Sequence, residues 1–169
     1  MVEENEIFIN CCLNDNYEVS NKGRLRNKKT NDFLDGYTPA NGYLRFKIKS
    51  NGNFKYYTAS RVIYQSFNIN ENIDNLDIDH IDRDKANNKL NNLRPTTRQQ
   101  NTGNQEARHT NKLNLKNIHK TEKNGNIRFI VEIRKEPIKI CKSFNELENA
   151  IIYRDQKINE IWGIYGCNI

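Results

Sequence analysis

Alternating apolar and polar positions predict several short strands in the first part of the chain. Residues 43–49 read Tyr-Leu-Arg-Phe-Lys-Ile-Lys, a period of two that predicts a half-buried strand with a basic outer face. Turn signals stand at 21–23 and 50–53, where Asn and Gly cluster. The apolar residues of 58–67 then recur at helical spacing. This part of the chain is therefore predicted to be a small antiparallel sheet followed by a short linking helix.

The middle of the chain has the pattern of a hairpin followed by a helix. Residues 76–81 form an apolar run interrupted by Asp79 and His80, and a second short strand is predicted at 93–95. A helix is predicted to open near Thr96 or Thr97, either of which can cap it, so that Asn101 lies in its first turns. In a regular strand Asp79 and His80 point to opposite faces, and a bulge or twist would be needed to bring both onto one phosphate.

The last part of the chain predicts three strands and one longer helix. The strands follow from 114–122, 126–135 and 138–144, with turns at 123–125 and near Pro137. Apolar residues recur at helical spacing over 145–162, with Asn145 as the predicted N-cap and Gly163 as the stop.

Composition argues for small modules in place of one large core. Hydrophobic residues make up 36% of the 169 residues, and the mean hydropathy is −0.93. So little apolar material favours modules laid out along a partner. We therefore expect an α+β chain of small modules in series, with boundaries at 1–67, 68–109 and 114–169.

The charge distribution points to a polyanionic partner. The net charge is +6 and the isoelectric point is about 9.1. Between residues 20 and 61 ten basic residues face two acidic ones, a local excess of +8. This asymmetry favours DNA contact by the N-terminal sheet over the alternative of a solvated basic face. The phosphate contacts predicted there are Arg24, Arg26, Arg45, Lys47 and Arg61.

Other classes of protein fit the chain less well. No stretch approaches the roughly 20 apolar residues of a membrane span, and the opening segment lacks the basic start and apolar core of a secretion signal. We expect a soluble intracellular protein, in the host cytoplasm or nucleus if it is virus-encoded, and a monomer. The four cysteines form no C-x-x-C pair, so no structural zinc and no disulfides are expected.

The chemistry predicted for the middle segment centres on Asp79 and His80. Six acidic residues fall within 71–84, beside the basic segment. A carboxylate in a half-buried strand needs a partner, and a divalent metal is a natural one. Asp79 and Asn101 would offer oxygen ligands to a hard cation such as Mg²⁺, and the His80 imidazole would take a proton from water. The sequence thus predicts in-line hydrolysis of a phosphodiester.

The spacing of these residues resembles the HNH homing endonucleases of phages and introns. Asp79-His80 is followed after twelve residues by Asn92 and after nine more by Asn101, with Asn91 and Leu93 flanking Asn92 as in that family. The resemblance implies a ββα-metal finger in which His80 is the general base and Asp79 and Asn101 bind one Mg²⁺ or Mn²⁺ ion. It also implies that Asn92 pins the hairpin loop and helps to orient His80.

The resemblance extends to both flanks. Residues 17–27 look like the short nuclease-associated DNA-binding motif, and 59–67 look like the helix that links it to the catalytic finger, with Ser60 where the family often has His. The last module looks like the DNA-binding domain of plant ethylene-response factors, whose sheet reads the major groove. That likeness implicates Arg128, Arg134, Lys135 and Lys139.

The prediction is therefore a site-preferring, metal-dependent endonuclease acting on double-stranded DNA. One alternative is a DNA-binding regulator built from the same modules without cleavage, although the intact set of four site residues argues against it. The other alternative is an RNA-directed protein, which exposed aromatic stacking platforms would favour. The target sequence and the number of strands cut are not predicted.

Overall fold

The computed structural model describes residues 4–50, 52–104 and 110–166 of the chain. These residues form mixed α+β structure, with several small antiparallel sheets and three α-helices, as predicted. The strands are β1 (Phe8–Asn10), β2 (Tyr17–Ser20), β3 (Leu25–Asn27), β4 (Arg45–Ser50), β5 (Asn53–Thr58), β6 (Asp77–His80), β7 (Leu93–Thr96), β8 (Ile118–Lys123), β9 (Asn126–Lys135) and β10 (Ile138–Phe144). The helices are α1 (Ala59–Phe67), α2 (Arg98–Asn104) and α3 (Leu147–Trp162).

The chain divides into two compact units, residues 1–97 and 98–169. In the first unit, the sheet β1-β2-β3, the ribbon β4-β5 and the hairpin β6-β7 surround α1. One apolar core joins all of them, and its buried members include Val19, Phe46, Ile63 and Leu93. Because Leu93 belongs to β7, the predicted boundary at residue 67 does not separate two cores.

Helix α1 forms because its apolar residues fall on the side that faces this core. Val62 and Ile63 are buried, while Arg61 lies half-buried on another side. The helix spans Ala59–Phe67, within one residue of the predicted range. Ser60, which stands where the resembling family often has His, is buried.

The β6-β7 hairpin pairs Asp77 with Thr96 and His80 with Leu93. The pairing register runs without a bulge from one end to the other. A loop of twelve residues, 81–92, joins the strands and ends in the 3₁₀ turn Leu90–Asn92. The predicted strand–loop–strand arrangement is therefore present.

The second unit packs α3 against the sheet β8-β9-β10. Val131 and Ile133 of β9 meet Ala150 and Ile158 of α3 in a separate apolar core. The β8-β9 turn uses Asn124 and Gly125, both with positive φ, as its Asn-Gly sequence predicts. Gly163, also with positive φ, ends α3 as predicted.

Two boundaries differ from the sequence-based expectation. Helix α3 begins at Leu147 with Glu146 as its N-cap, so the prediction of Asn145 as the cap was wrong. Strand β10 ends at Phe144, as predicted, and two residues separate it from the helix. Thr96 is the last residue of β7, so Thr97 directly precedes α2.

The described helices include none that is both long and apolar enough to cross a membrane.

Candidate active site

Asp79 and His80 are the last two residues of β6, and both side chains are buried. Asp79 is 7% exposed and His80 is 4% exposed. As neighbours in a strand without a bulge they point to opposite faces of the hairpin, so action of both on one phosphate requires a twist of the backbone at the end of the strand. Burial of two polar side chains requires polar partners, and the structure supplies a different partner on each face.

Arg94 is the partner of Asp79. The two residues lie opposite each other in the hairpin register, and the Arg94 Nη2 and Nε atoms lie 2.9 and 3.0 Å from the Asp79 Oδ2 atom. The side chains are 13% and 8% exposed, so the ion pair is largely shielded from water. Arg94 therefore orients the carboxylate and offsets part of the cost of burying its charge.

Asn88 is a partner of His80. The His80 Nε2 atom lies 3.1 Å from the Asn88 Oδ1 atom. The Asn88 Nδ2 atom donates to the carbonyl oxygen of Ala86 at 3.1 Å, which identifies Oδ1 as the atom that faces the imidazole. The Tyr43 ring lies beside the imidazole, with 6.1 Å between ring centroids. The ring of His80 is thus held by the loop and by the segment that precedes β4.

Asn92 is hydrogen-bonded to the loop between the strands. Its Oδ1 accepts from the backbone N–H of Asp82 at 3.0 Å, and its Nδ2 donates to the Asp82 carboxylate at 2.8 Å and to the Asn87 carbonyl at 2.8 Å. Partial burial acts to raise the pKa of Asp82, but hydrogen bonds from Asn87, Asn92 and the backbone of Asp84 outweigh it, and the pKa is lowered. A ring nitrogen of His80 contacts Asn88, four residues before Asn92, and the orienting role of Asn92 stays a prediction.

The predicted metal ligands lie on different units. Asp79 belongs to β6 of the first unit, and Asn101 is the fourth residue of α2 in the second unit. Within the described ranges, no three His, Cys, Asp or Glu side chains gather to hold a metal ion. The predicted donors are the carboxylate of Asp79 and the amide of Asn101. That they bind one metal ion together stays a prediction.

Arg61 links α1 to the strand that carries the site. Its Nη1 donates to the carbonyl of Leu76 at 2.8 Å, and its Nη2 donates to the carbonyl of Ile73 at 2.7 Å. These two carbonyls lie in the segment that leads into β6. The Arg61 guanidinium therefore holds the chain segment that leads to Asp79. Its contact with a DNA phosphate stays a prediction.

The other N-terminal candidates differ in how they are held. Arg24 pairs with Glu6 and its guanidinium lies 4.2 Å from the Phe33 ring centroid. Arg26 pairs with Glu18, with 2.6 Å between Nη2 and Oε2. Acidic partners thus already engage both side chains.

The β4-β5 ribbon presents two further candidates. Lys47 is exposed and its Nζ lies 5.2 Å from the Phe54 ring centroid. Arg45 is half-buried, and its Nε is a buried donor without a hydrogen-bond partner among the described residues. The exposed aromatics are Phe54 and Tyr56, whereas Tyr57 packs against the core. Lys47 is therefore the candidate most open to a phosphate in the ribbon.

The C-terminal candidates share one face of the second sheet. Arg128 and Arg134 are exposed on β9. Lys139 of β10 lies opposite Arg134 in the register of the two strands. Alternation places them opposite Val131 and Ile133, which face α3. Glu132 lies on the same face and binds Arg134, whose hydrogen bond and charge lower the pKa of Glu132. Lys135 instead points toward α3, where it donates to the carbonyl of Ile161 at 2.7 Å.

Sequence reasoning missed Arg94 and Asn88. Arg94 follows Asn92 by two residues, and pairing the two predicted strands so that His80 meets Leu93 would have placed it opposite Asp79. Asn88 carried no such signal, because it is one of several asparagines in the loop. Its role depends on the path of that loop.

Comparison with known proteins finds a family match. Residues 57–102 match the family model described as HNH endonuclease, and this segment contains Asp79, His80, Asn92 and Asn101. This segment of the chain is therefore similar to the HNH endonucleases. The matched segment begins within β5 and ends in α2, so it covers α1, the hairpin and the loop described above.

Two HNH proteins resemble a larger part of the chain. An uncharacterized HNH endonuclease of Acanthamoeba polyphaga mimivirus is 32% identical over 142 residues, which is 84% of this chain. This chain spans 38% of the length of that relative. The solved structure of the HNH homing endonuclease I-HmuI, a study of its DNA binding and cleavage, matches with a TM-score of 0.50 over 94% of this chain and 91% of that chain. At 21% identity this likeness shows a shared fold.

Proposed function

We propose that the chain is a metal-dependent DNA endonuclease that hydrolyses phosphodiester bonds, with Asp79 and His80 in its active site. One arrangement carries the proposal: two buried, adjacent polar residues end β6, and each is held by a partner that fixes its direction. The match of residues 57–102 to the HNH endonuclease family model supports the same assignment.

His80 acts as the general base in this proposal. In the neutral imidazole one ring nitrogen carries the proton and the other carries the lone pair. Since Asn88 Oδ1 accepts from Nε2, the proton belongs on Nε2 and the lone pair on Nδ1. Nδ1 takes a proton from water, the resulting hydroxide oxygen bonds to phosphorus, and the bond from phosphorus to the leaving sugar oxygen breaks. Base catalysis of this kind contributes about 10²–10⁴-fold in rate.

Asp79 is the proposed anchor for a divalent metal. Its ionised carboxylate is a hard oxygen donor held in place by Arg94, which fits Mg²⁺ or Mn²⁺. Asn101 is proposed as the amide ligand from its spacing to Asn92. When bound, the metal would supply charge stabilisation for the leaving oxygen.

DNA binding is proposed for one surface on each of the two units. On the first unit the exposed Lys47 and the basic segment around it would contact phosphates. On the second unit the face with Arg128, Arg134 and Lys139 is a solvent-facing sheet surface of the kind that can enter a groove. These surfaces would choose the site, while Asp79 and His80 would cut with little sequence preference. The fold likeness to a homing endonuclease supports this division.

The test is incubation of the full chain with supercoiled plasmid and Mg²⁺ or Mn²⁺. We expect nicked circles or linear product, and we expect a chelator to stop the reaction until metal is restored in excess. The ends would then be mapped to find the preferred site. Intact supercoiled plasmid with either metal, despite measurable DNA binding, would favour the non-cleaving regulator. Cleavage unaffected by the chelator would remove the metal from the proposal.

A further inference from the structure

The β2-β3 turn lies directly against the loop that holds His80. Gly23, in this turn, has φ +91°, and a Cβ atom added there would lie 2.9 Å from the carbonyl carbon of Asn88 and 3.0 Å from its oxygen. Real Cβ atoms essentially never approach backbone as closely as the first distance, and the second is tighter than most real Cβ contacts. Glycine is therefore required at residue 23 both by its backbone conformation and by the approach of Asn88.

A second contact fixes the same turn to the same loop. The backbone N–H of Leu90 donates to the carbonyl oxygen of Asn21 at 2.9 Å. The Asn21 side chain in turn accepts from the backbone N–H of Ile7 at 2.9 Å. Within the turn, the Ser20 hydroxyl accepts from the backbone N–H of Lys22 and of Arg24. These hydrogen bonds hold the turn in place, and it contacts the loop on both sides of Lys89, at Asn88 and Leu90.

Asn88 connects the β2-β3 turn to His80, because it contacts both. Asn88 is 4% exposed, and its side chain spans from the Ala86 carbonyl to the His80 Nε2 atom, with both distances at 3.1 Å. A buried amide held at both ends has one orientation available. A shift of the loop at residue 88 would move the oxygen that accepts the Nε2 proton.

We propose that Gly23 and Asn88 are positioning residues for His80, so that the N-terminal sheet sets the imidazole tautomer used in catalysis. The proposal rests on the proposed endonuclease function and deepens it. The turn carries Lys22 and leads into Arg24, so the element that supports the base also belongs to the basic segment proposed to contact DNA. Substrate contact and orientation of the base would then share one rigid element.

The experiment compares Gly23→Ala with Gly52→Ala. Gly52 has φ +82°, a backbone strain similar to that at Gly23, but a Cβ atom there would meet nothing within 4 Å. Asn88→Leu is the second variant, because leucine has a similar size and lacks the accepting oxygen. Three properties are measured for each full-length variant: single-turnover plasmid cleavage, DNA affinity, and the ¹⁵N NMR shifts of the His80 ring in metal-free protein near pH 8. Circular dichroism checks folding.

We expect wild type and Gly52→Ala to show the Nε2–H tautomer. We expect Gly23→Ala and Asn88→Leu to populate both tautomers and to cleave at least about tenfold more slowly, a part of the contribution of a general base. DNA affinity should stay within twofold. If Gly23→Ala fails to fold, Asn88→Leu decides alone.

Three results would overturn the proposal: a wild-type ring protonated on Nδ1, variants with unchanged spectra and rates, or a rate loss explained entirely by weaker DNA binding. If wild type itself leaves plasmid intact, the endonuclease proposal fails, while the ring shifts still decide whether Asn88 sets the tautomer. The two failures are therefore distinguishable.

Discussion

Arg94 and Asp79 face each other across the β6-β7 hairpin, and two nitrogens of the guanidinium approach the same carboxylate oxygen at 2.9 and 3.0 Å. Both side chains are largely buried. The pair therefore joins the stability of the hairpin to the orientation of the proposed metal ligand, and removing one partner leaves a shielded charge without its counter-ion.

Arg94→Gln should lower the free energy of unfolding by about 3 kcal/mol, because it removes the guanidinium that pairs with the buried Asp79 carboxylate. Urea unfolding measures this. Arg134→Gln is the matched control, since the Arg134 side chain is 71% exposed and water screens its pair with Glu132, so its loss should lower stability much less. The double variant Asp79→Asn with Arg94→Gln should be less destabilised than the sum of the single variants. Strict additivity would contradict the coupling.

His80→Ala should keep DNA affinity and lose about 10²–10⁴-fold in cleavage rate, because it removes the proposed base. His119→Ala is the control, since His119 is an exposed residue of β8. Single-turnover plasmid cleavage and a binding titration measure the two properties separately. A His80→Ala protein that turns over as fast as wild type would show that another group takes the proton.

Arg61→Met should lower the free energy of unfolding by roughly 2–3 kcal/mol, because it removes two charged hydrogen bonds to the carbonyls of Ile73 and Leu76. The exposed Arg128 provides a matched control as Arg128→Met, which should leave stability within about 0.5 kcal/mol. Equal effects of the two substitutions would argue that Arg61 does not support the segment before β6.

Lys47→Ala should weaken DNA binding and reduce the slope of log affinity against log salt by about one, as expected for one lost phosphate contact. Lys157→Ala is the control, because Lys157 binds Glu160 on α3. Binding titrations over a range of salt concentrations give both slopes. A slope unchanged by Lys47→Ala would remove the β4-β5 ribbon from the phosphate-binding surface.

Cys12 should be alkylated readily at neutral pH. A hydrogen bond from Cys11 is the largest influence on its thiol, and with one from Ser66 it outweighs burial and lowers the pKa of Cys12 from 9.0 to about 6. Because the folded pKa lies below the ordinary value, the thiolate persists at pH 7 and is lost as the pH falls through 6. The alkylation rate, followed by mass spectrometry, should fall in parallel, and Ser66→Ala should shift this midpoint upward. A rate that falls only near pH 9 would contradict the assignment.

Most secondary structure was predictable because the signals were local. The period of two in β4, the Asn-Gly turn between β8 and β9, and the glycine after α3 each act within a few residues. The end of β10 at Phe144 was also predicted, but the start of α3 was placed one residue too early, because the sequence offers both Asn145 and Glu146 before the helix and Asn is the commoner N-cap residue. The shared core of the first unit was also not predictable, since Leu93 and Phe46 come from segments that the charge reversal had separated.

By itself, the sequence determined the identities and spacing of Asp79, His80, Asn92 and Asn101, because a motif is a property of the chain and survives any packing. The tertiary structure decided which side chains contact and orient these residues. Arg94 meets Asp79 through the strand register, and Asn88 meets His80 through the path of the loop. Gly23 reaches that loop from 65 positions earlier in the chain, a contact that only folding creates. Hydrogen bonds act over about 3 Å, so distances along the chain do not reveal these partners.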